Sequence, residues 1–223
     1  TIASNDPKRE ALGRSITAVL MAKQVRRVGC IHAETILTEI GALAGFATQV
    51  SIRKFITTPQ KFDPSDALVE VVNRNGETFK FSDLLNWILF ENTTQAPFSI
   101  WAHVSAVVPK QSRAVMPDPA EIVGNTARTA GTRQFGVPRL PRVHMPQQLP
   151  RAALIQHWLS VCQEFEMSRR DPVHWPYDLA WAAQRQMIAS RHRLALPTAA
   201  AIVMEAAIPM SRIDPASVPG AQV

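Results

Sequence analysis

Proline placement constrains this chain more than any other feature. Seventeen prolines are spread through 223 residues, and each lacks an amide donor and fixes φ, so a helix tolerates one in its first turn and resists one further in. Pro7 after Asp6, Pro119 after Asp118, and Pro150, Pro176 and Pro197 each stand at the start of an apolar pattern of helical period. They are read as helix starts. Pro138, Pro141, Pro146 and Pro150 crowd together too closely for regular structure, and they predict an extended Pro/Arg-rich arm at about 135–150.

Between these stops, apolar spacing predicts a helix from Pro7 to Val28, closed by Gly29, and a second from near His32 to Thr58, just ahead of Pro59. The β-branched run from Ala67 to Asn73, the pair Asn75-Gly76 and the alternation from Glu77 to Phe81 predict a β-hairpin over about 67–81. With Asn75 and Gly76 as the two central turn residues, Val72 faces Phe79 and Glu70 faces Phe81. Ser82 and Asp83 open a short helix, Leu84 to Phe90, apolar nearly all round and so expected to be buried. Pro97 and Ser99 favour helix over strand for Phe98–Val108. Further helices are expected from Pro119 to Ala130, from Pro150 to Phe165 with Ile155, Leu159 and Cys162 inward, from Tyr177 to His192, and from Thr198 to Ala207. The fold class is therefore mainly α (α+β): one domain over 1–223 with about eight helices, one hairpin and a loose C-terminal tail from about 209.

Composition agrees with a globular chain, because 46% apolar and 19% charged residues are enough to build a core and too apolar for disorder. The longest run without charge or proline in the first half, Ile40–Ile52, is 13 residues, short of the roughly 20 that span a bilayer. A transmembrane helix is not expected. Nor is a secretory signal, since Thr1–Glu10 has no apolar stretch after a basic one. Cys30 and Cys162 lie in apolar helical patterns and are too few for a disulfide framework, which points to a reducing cytoplasm and inert core thiols.

No motif fixes a reaction. His32-Ala33-Glu34 reproduces half of the zinc deaminase signature, but the Pro-Cys-x-x-Cys half is missing, so no metal and no cofactor are expected. There is no Gly-x-Ser-x-Gly elbow and no phosphate-binding glycine loop. What stands out is a small-residue face, Gly41, Ala44, Gly45 and Thr48, which lets another backbone approach closely, from the same chain or from a second copy. The leading expectation is a non-catalytic interaction protein that self-associates through this face, forming a homodimer, with the arm reaching across its partner.

Two other readings follow from the residues. The stretch 37–56 resembles a helix-turn-helix with Gly45 as turn glycine, although Ser51 and Lys54 then fall on core positions. No acid occurs between Glu121 and Glu164, whereas Arg128, Arg133, Arg139, Arg142 and Arg151 do, and the net charge is +6. Together these suggest a nucleic-acid or anion contact. Glu205 is the one ionisable residue in an alanine-rich helix, so either burial raises its pKa or an arginine or histidine pairs with it. With His174 and Trp175 it forms a candidate pocket, which would make the chain a small-molecule-binding protein or an enzyme.

Overall fold

The computed structural model describes residues 6–57, 68–91 and 99–221. Among these are eight α-helices and one two-stranded sheet: α1 (Pro7–Val28), α2 (Ala33–Thr57), β1 (Val69–Val72), β2 (Thr78–Phe81), α3 (Asp83–Phe90), α4 (Ile100–Ala106), α5 (Pro119–Thr129), α6 (Pro150–Met167), α7 (Trp175–Ser190) and α8 (Leu196–Met210). The fold is mainly α, as the spacing predicts. Thr58, Pro59, Ala67, Pro97 and Phe98 lie outside the described residues.

Local chemistry sets most boundaries. The Asp6 carboxylate accepts from the free amides of Lys8 and Arg9 to start α1, and Gly29, in the left-handed region at φ 78°, ends it. Ser82 caps α3, Ser99 caps α4 and Asp118 caps α5 in the same manner.

The buried helix α2 is the axis of the fold. It packs against α8, α7 and α6, with α1 and α3 at its flanks. By length and composition the segment Ala33–Lys54 is apolar enough to cross a bilayer, contrary to the reading from charge-free length, and here its whole 18-residue window is buried by the other helices. The contact with α8 is the closest. A Cβ on Gly41 would lie 2.6 Å from Val203 O, and one on Gly45 only 1.9 Å from Ala207 O. The Gln49 side-chain amide then donates to the carbonyls of Ser211 and Ile213, both at 2.8 Å. Pairing 41 with 203, 45 with 207 and 49 with 211 advances both helices together, so α2 and α8 run side by side in the same direction.

Several sequence expectations are corrected. The hairpin register is Val69↔Phe81, Glu70↔Lys80, Val71↔Phe79 and Val72↔Thr78, one residue off the expected pairing. The reason lies in the turn: Gly76 N donates to Asn73 O and Gly76 has φ 79°, so Arg74 and Asn75 are the central residues and Gly76 is the third loop residue in the left-handed region. Helix α3 is only half buried, since Leu84 and Trp87 face outward while Leu85, Ile88 and Leu89 enter the core. On α6, Ile155 and Leu159 are exposed. Cys30 is exposed in the α1–α2 turn, and only Cys162 is sheltered, its thiol pushed up to about 11 by burial and the neighbouring Glu166.

The tail is not loose. Pro209 and Met210 complete α8, and Ser211, Arg212, Ile213, Pro215, Val218 and Ala221 are all buried. Lys80 N donates to Arg212 O at 2.8 Å and Phe79 bridges Ile213, so the tail pairs with the inner edge of β2. The Arg212 side chain is buried against the Phe81 ring with one hydrogen bond among the described residues, to Asn86, and burial pulls its pKa down to about 10.

Candidate functional site

The residues singled out from sequence disperse in the structure. Gly41, Ala44, Gly45 and Thr48 are buried, and the glycines face the backbone of α8 in the same chain. The small-residue face is therefore a packing surface of the fold and has no room for a second copy. The helix-turn-helix is also absent, because α2 continues through Gly45 without a turn.

Of the five arginines, two are neutralised: Arg139 Nε lies 3.0 Å from Glu205 Oε1 and Arg151 Nη1 lies 3.0 Å from Glu77 Oε1. Arg128, Arg133 and Arg142 are exposed and have no ion pair among the described residues. The Pro/Arg-rich segment lies against its own chain as a strap, with a short 3-10 turn at Arg142–His144. Its Gln147 N donates to Thr35 Oγ1 at 2.9 Å and its His144 Nδ1 sits 3.3 Å from Glu34 Oε1.

His174, Trp175 and Glu205 do not form one pocket. Trp175 stacks on Phe165 at 4.5 Å and its indole donates to Arg170 O, while His174 ends a 3-10 turn at the mouth of α7. Glu205 is held by the strap. Burial raises its pKa and Arg139 offsets part of that rise. Because the folded pKa lies above the unfolded value of about 4.3, the unfolded state ionises first, and Glu205 lowers stability as pH rises from the ordinary glutamate range through its folded pKa. An Arg139→Gln variant is expected to raise the Glu205 carboxyl pKa further in a carbon-13 titration; a Glu205 that titrates at the ordinary value in both proteins would mean that it is solvated.

The most concentrated polar interior escaped the sequence reading. Glu39 and His157 are each nearly inaccessible, with Glu39 Oε1 3.5 Å from His157 Nε2 and 3.8 Å from Arg27 Nη2 at the surface. Glu39 Oε2, both His157 ring nitrogens, Thr38 Oγ1 and Trp158 Nε1 are buried without a hydrogen-bond partner among the described residues. One turn earlier on α2, Glu34 sits between His32 (3.4 Å) and His144 (3.3 Å). A carboxylate beside an imidazole can exchange a proton, but reaction also needs substrate access and a nucleophile or electrophile. Hollows of about 610, 320 and 290 Å³ open on the surface, and neither Glu39 nor His157 lines any of the three. No group of three metal-ligating side chains converges among the described residues.

A second buried cluster joins α1 to α7. Asp178, fully buried, accepts from Arg9 Nε at 3.0 Å and from Arg170 Nε and Nη2 at 2.6 and 2.9 Å. His103 donates from Nδ1 to Ser99 O and leaves Nε2 unpartnered, and burial lowers its pKa, which keeps the ring neutral. The Asp178 ion pairs tie helices together, whereas the His103 ring bonds the cap of its own helix.

The open feature is the hairpin's outer strand. All four residues of β1 are exposed, with Val69 at 57%, Val71 at 43% and Val72 at 58%. The charge on this edge, Glu70, is bonded to Lys80 on the adjacent strand. Natural sheet edges are usually guarded by free charges, prolines or bulges, and β1 has none of these. Comparison with known protein families, with curated proteins and with solved structures returns no match to this chain.

Proposed function

We propose that this chain is a non-catalytic interaction protein that self-associates, and that the surface it uses is the edge of β1 in place of the small-residue face of α2. The observation that carries this reading is the exposure of three valines on a strand whose outward backbone groups have no partner among the described residues. Pairing such an edge with another strand satisfies its amides and carbonyls and removes apolar side chains from water together. The glycine face cannot serve, since α8 fills it.

A four-residue edge buries less than the roughly 1,200 Å² of a stable standard interface, so the association is weak and depends on concentration. Sedimentation velocity over a concentration series tests it. The wild-type protein is expected to shift towards dimer as concentration rises, and Val71→Lys, which puts a charge on an exposed position, to remain monomeric with an unchanged circular dichroism spectrum. A wild-type chain that stays monomeric throughout, or a Val71→Lys variant that associates as before, rejects the reading.

A further inference from the structure

The geometry points to a second binding surface, independent of the β1 edge: the turn of the hairpin and the end of α5 together hold the phosphate backbone of a nucleic acid. The fold assembles this surface from arginines that lie far apart in the sequence.

The assembling contact is at Gly131, which follows α5 in the left-handed region at φ 77°. A Cβ on Gly131 would stand 2.4 Å from Asn73 Nδ2, so the Asn73 side chain lies directly on the bare backbone there. Arg74 follows Asn73 in the hairpin turn, and Arg128 and Arg133 stand on either side of Gly131 in the chain. The same asparagine donates to Glu77 Oε2 at 2.9 Å, and Glu77 Oε1 lies 3.0 Å from Arg151 Nη1 in the first turn of α6. Arginines of the hairpin, of α5 with its following turn, and of α6 therefore surround one contact.

Their charge is largely uncompensated. Arg74, Arg128 and Arg133 are exposed and have no ion pair among the described residues. Glu77 is already engaged by Asn73 and Arg151. Asp214, which shares a surface hollow with Glu77 and Arg151, caps the 3-10 turn Pro215–Ser217. The acids of α5, Asp118 as its cap and Glu121 in its first turn, lie at the opposite end of that helix. Positive charge concentrated in this way attracts a polyanion.

The kind of charge selects among polyanions. Each cation here is a guanidinium, whose planar fork meets a phosphate through two parallel N–H bonds, a match that an ammonium lacks. Between Arg128 and Arg133 stand Thr129, Ala130, Gly131 and Thr132, small residues that give a bilayer little to bury and let a stiff backbone lie close. Phosphate contacts position a duplex without reading its bases, so binding is independent of sequence.

Fluorescence anisotropy with a short labelled DNA duplex of mixed sequence, titrated over a salt series, tests the proposal. Each phosphate neutralised contributes about −0.9 to the slope of log K against log salt, so the three unpaired arginines predict about −2.7 for the wild type and about −0.9 for the double variant Arg74→Gln, Arg133→Gln. That variant is expected to bind about ten-fold more weakly or worse at low salt. The double variant Arg26→Gln, Arg185→Gln removes the same charge from exposed positions on α1 and α7, and is expected to stay within about two-fold of the wild type. All three proteins are expected to share one circular dichroism spectrum. No binding by the wild type at low salt, equal weakening in the two double variants, or binding of polyglutamate or of anionic vesicles as tight as that of the duplex overturns the proposal. Each of these outcomes leaves the sedimentation test of the β1 edge untouched.

Discussion

Gly45→Ala is expected to lower folding stability by about 3 kcal/mol, at the upper end of what overpacking costs in a core. The added methyl group would meet Ala207 O at 1.9 Å, Ala207 C at 2.6 Å and Ala207 Cα at 2.7 Å. Those are backbone atoms of a buried helix, so no side chain can swing aside, and α2 and α8 must separate. Gly41→Ala is expected to cost less, since its nearest obstacle stands at 2.6 Å. Gly124→Ala supplies the contrast. Gly124 lies within α5, where a Cβ meets nothing closer than the flexible tip of Arg128 at 3.4 Å, so alanine gains about 0.5–1 kcal/mol from helix propensity. Urea denaturation of the three variants reads all three values. If Gly45→Ala and Gly124→Ala change stability in the same direction, α2 and α8 do not approach as described.

The same pair of glycines shows how far a sequence can be read. Their four-residue spacing announces a close helix crossing, because periodicity is local. The identity of the opposing backbone is not local: Val203 and Ala207 lie 162 residues further on, and their alanine-rich helix is equally legible as a core element with no stated partner. Caps were legible for the same reason that glycines were, since Asp6, Ser82, Ser99 and Asp118 bond amides two or three residues away. The hairpin was legible as a hairpin, but Gly76 in the left-handed region suits both a two-residue and a three-residue loop, and the sequence does not separate them. The tail is not legible because Pro209 looks like a stop, whereas α8 ends only one residue later and the burial of the residues that follow depends on contacts with distant elements.

The polar clusters were legible in part. Glu205 draws notice as a lone acid in an apolar helix, yet nothing near it announces Arg139, which comes from the strap 66 residues away. Glu39 passes the same test but sits in a stretch that also suits a helix-turn-helix, and that resemblance absorbed it. Asp178 was invisible. An acid in the first turn of a helix is favourable next to the helix dipole even on the surface, so its position after Pro176 carries no sign of burial. The β1 edge hides in the same way, because alternation and β-branching identify a hairpin but not which of its two strands the tail will cover.

Asp178→Ala is the second large effect expected. The carboxylate has no accessible surface and joins Arg9 of α1, Arg170 beyond α6 and the first turn of α7. Arg170 also reaches Asp6 at 2.9 Å, and that acid holds the first amides of α1. The hydrogen bonds and charge of Asp178 raise the Arg170 pKa despite burial, so the pair is favourable in place. Removing one partner of a buried ion pair costs about 3–5 kcal/mol, because the other partner is left desolvated and uncompensated. Here two guanidinium groups, with side chains 13% and 14% exposed, lose their common acceptor. Asp6→Ala is expected to cost only about 1 kcal/mol, the value of a helix N-cap, since Asp178 still neutralises Arg170. Asp6 also contributes with a definite sign in pH: although burial opposes it, the amide of Arg9 and the charge of Arg170 depress its pKa, so its stabilisation is present above the unfolded value of about 3.9 and fades as pH falls through the folded one. Combining Asp178→Ala with Arg170→Met should recover part of the loss, because the second change removes one stranded charge. Thermal or urea unfolding of the single and double variants completes the cycle; additive effects, or an Asp178→Ala loss no greater than that of Asp6→Ala, would show that these helices are joined by apolar packing alone.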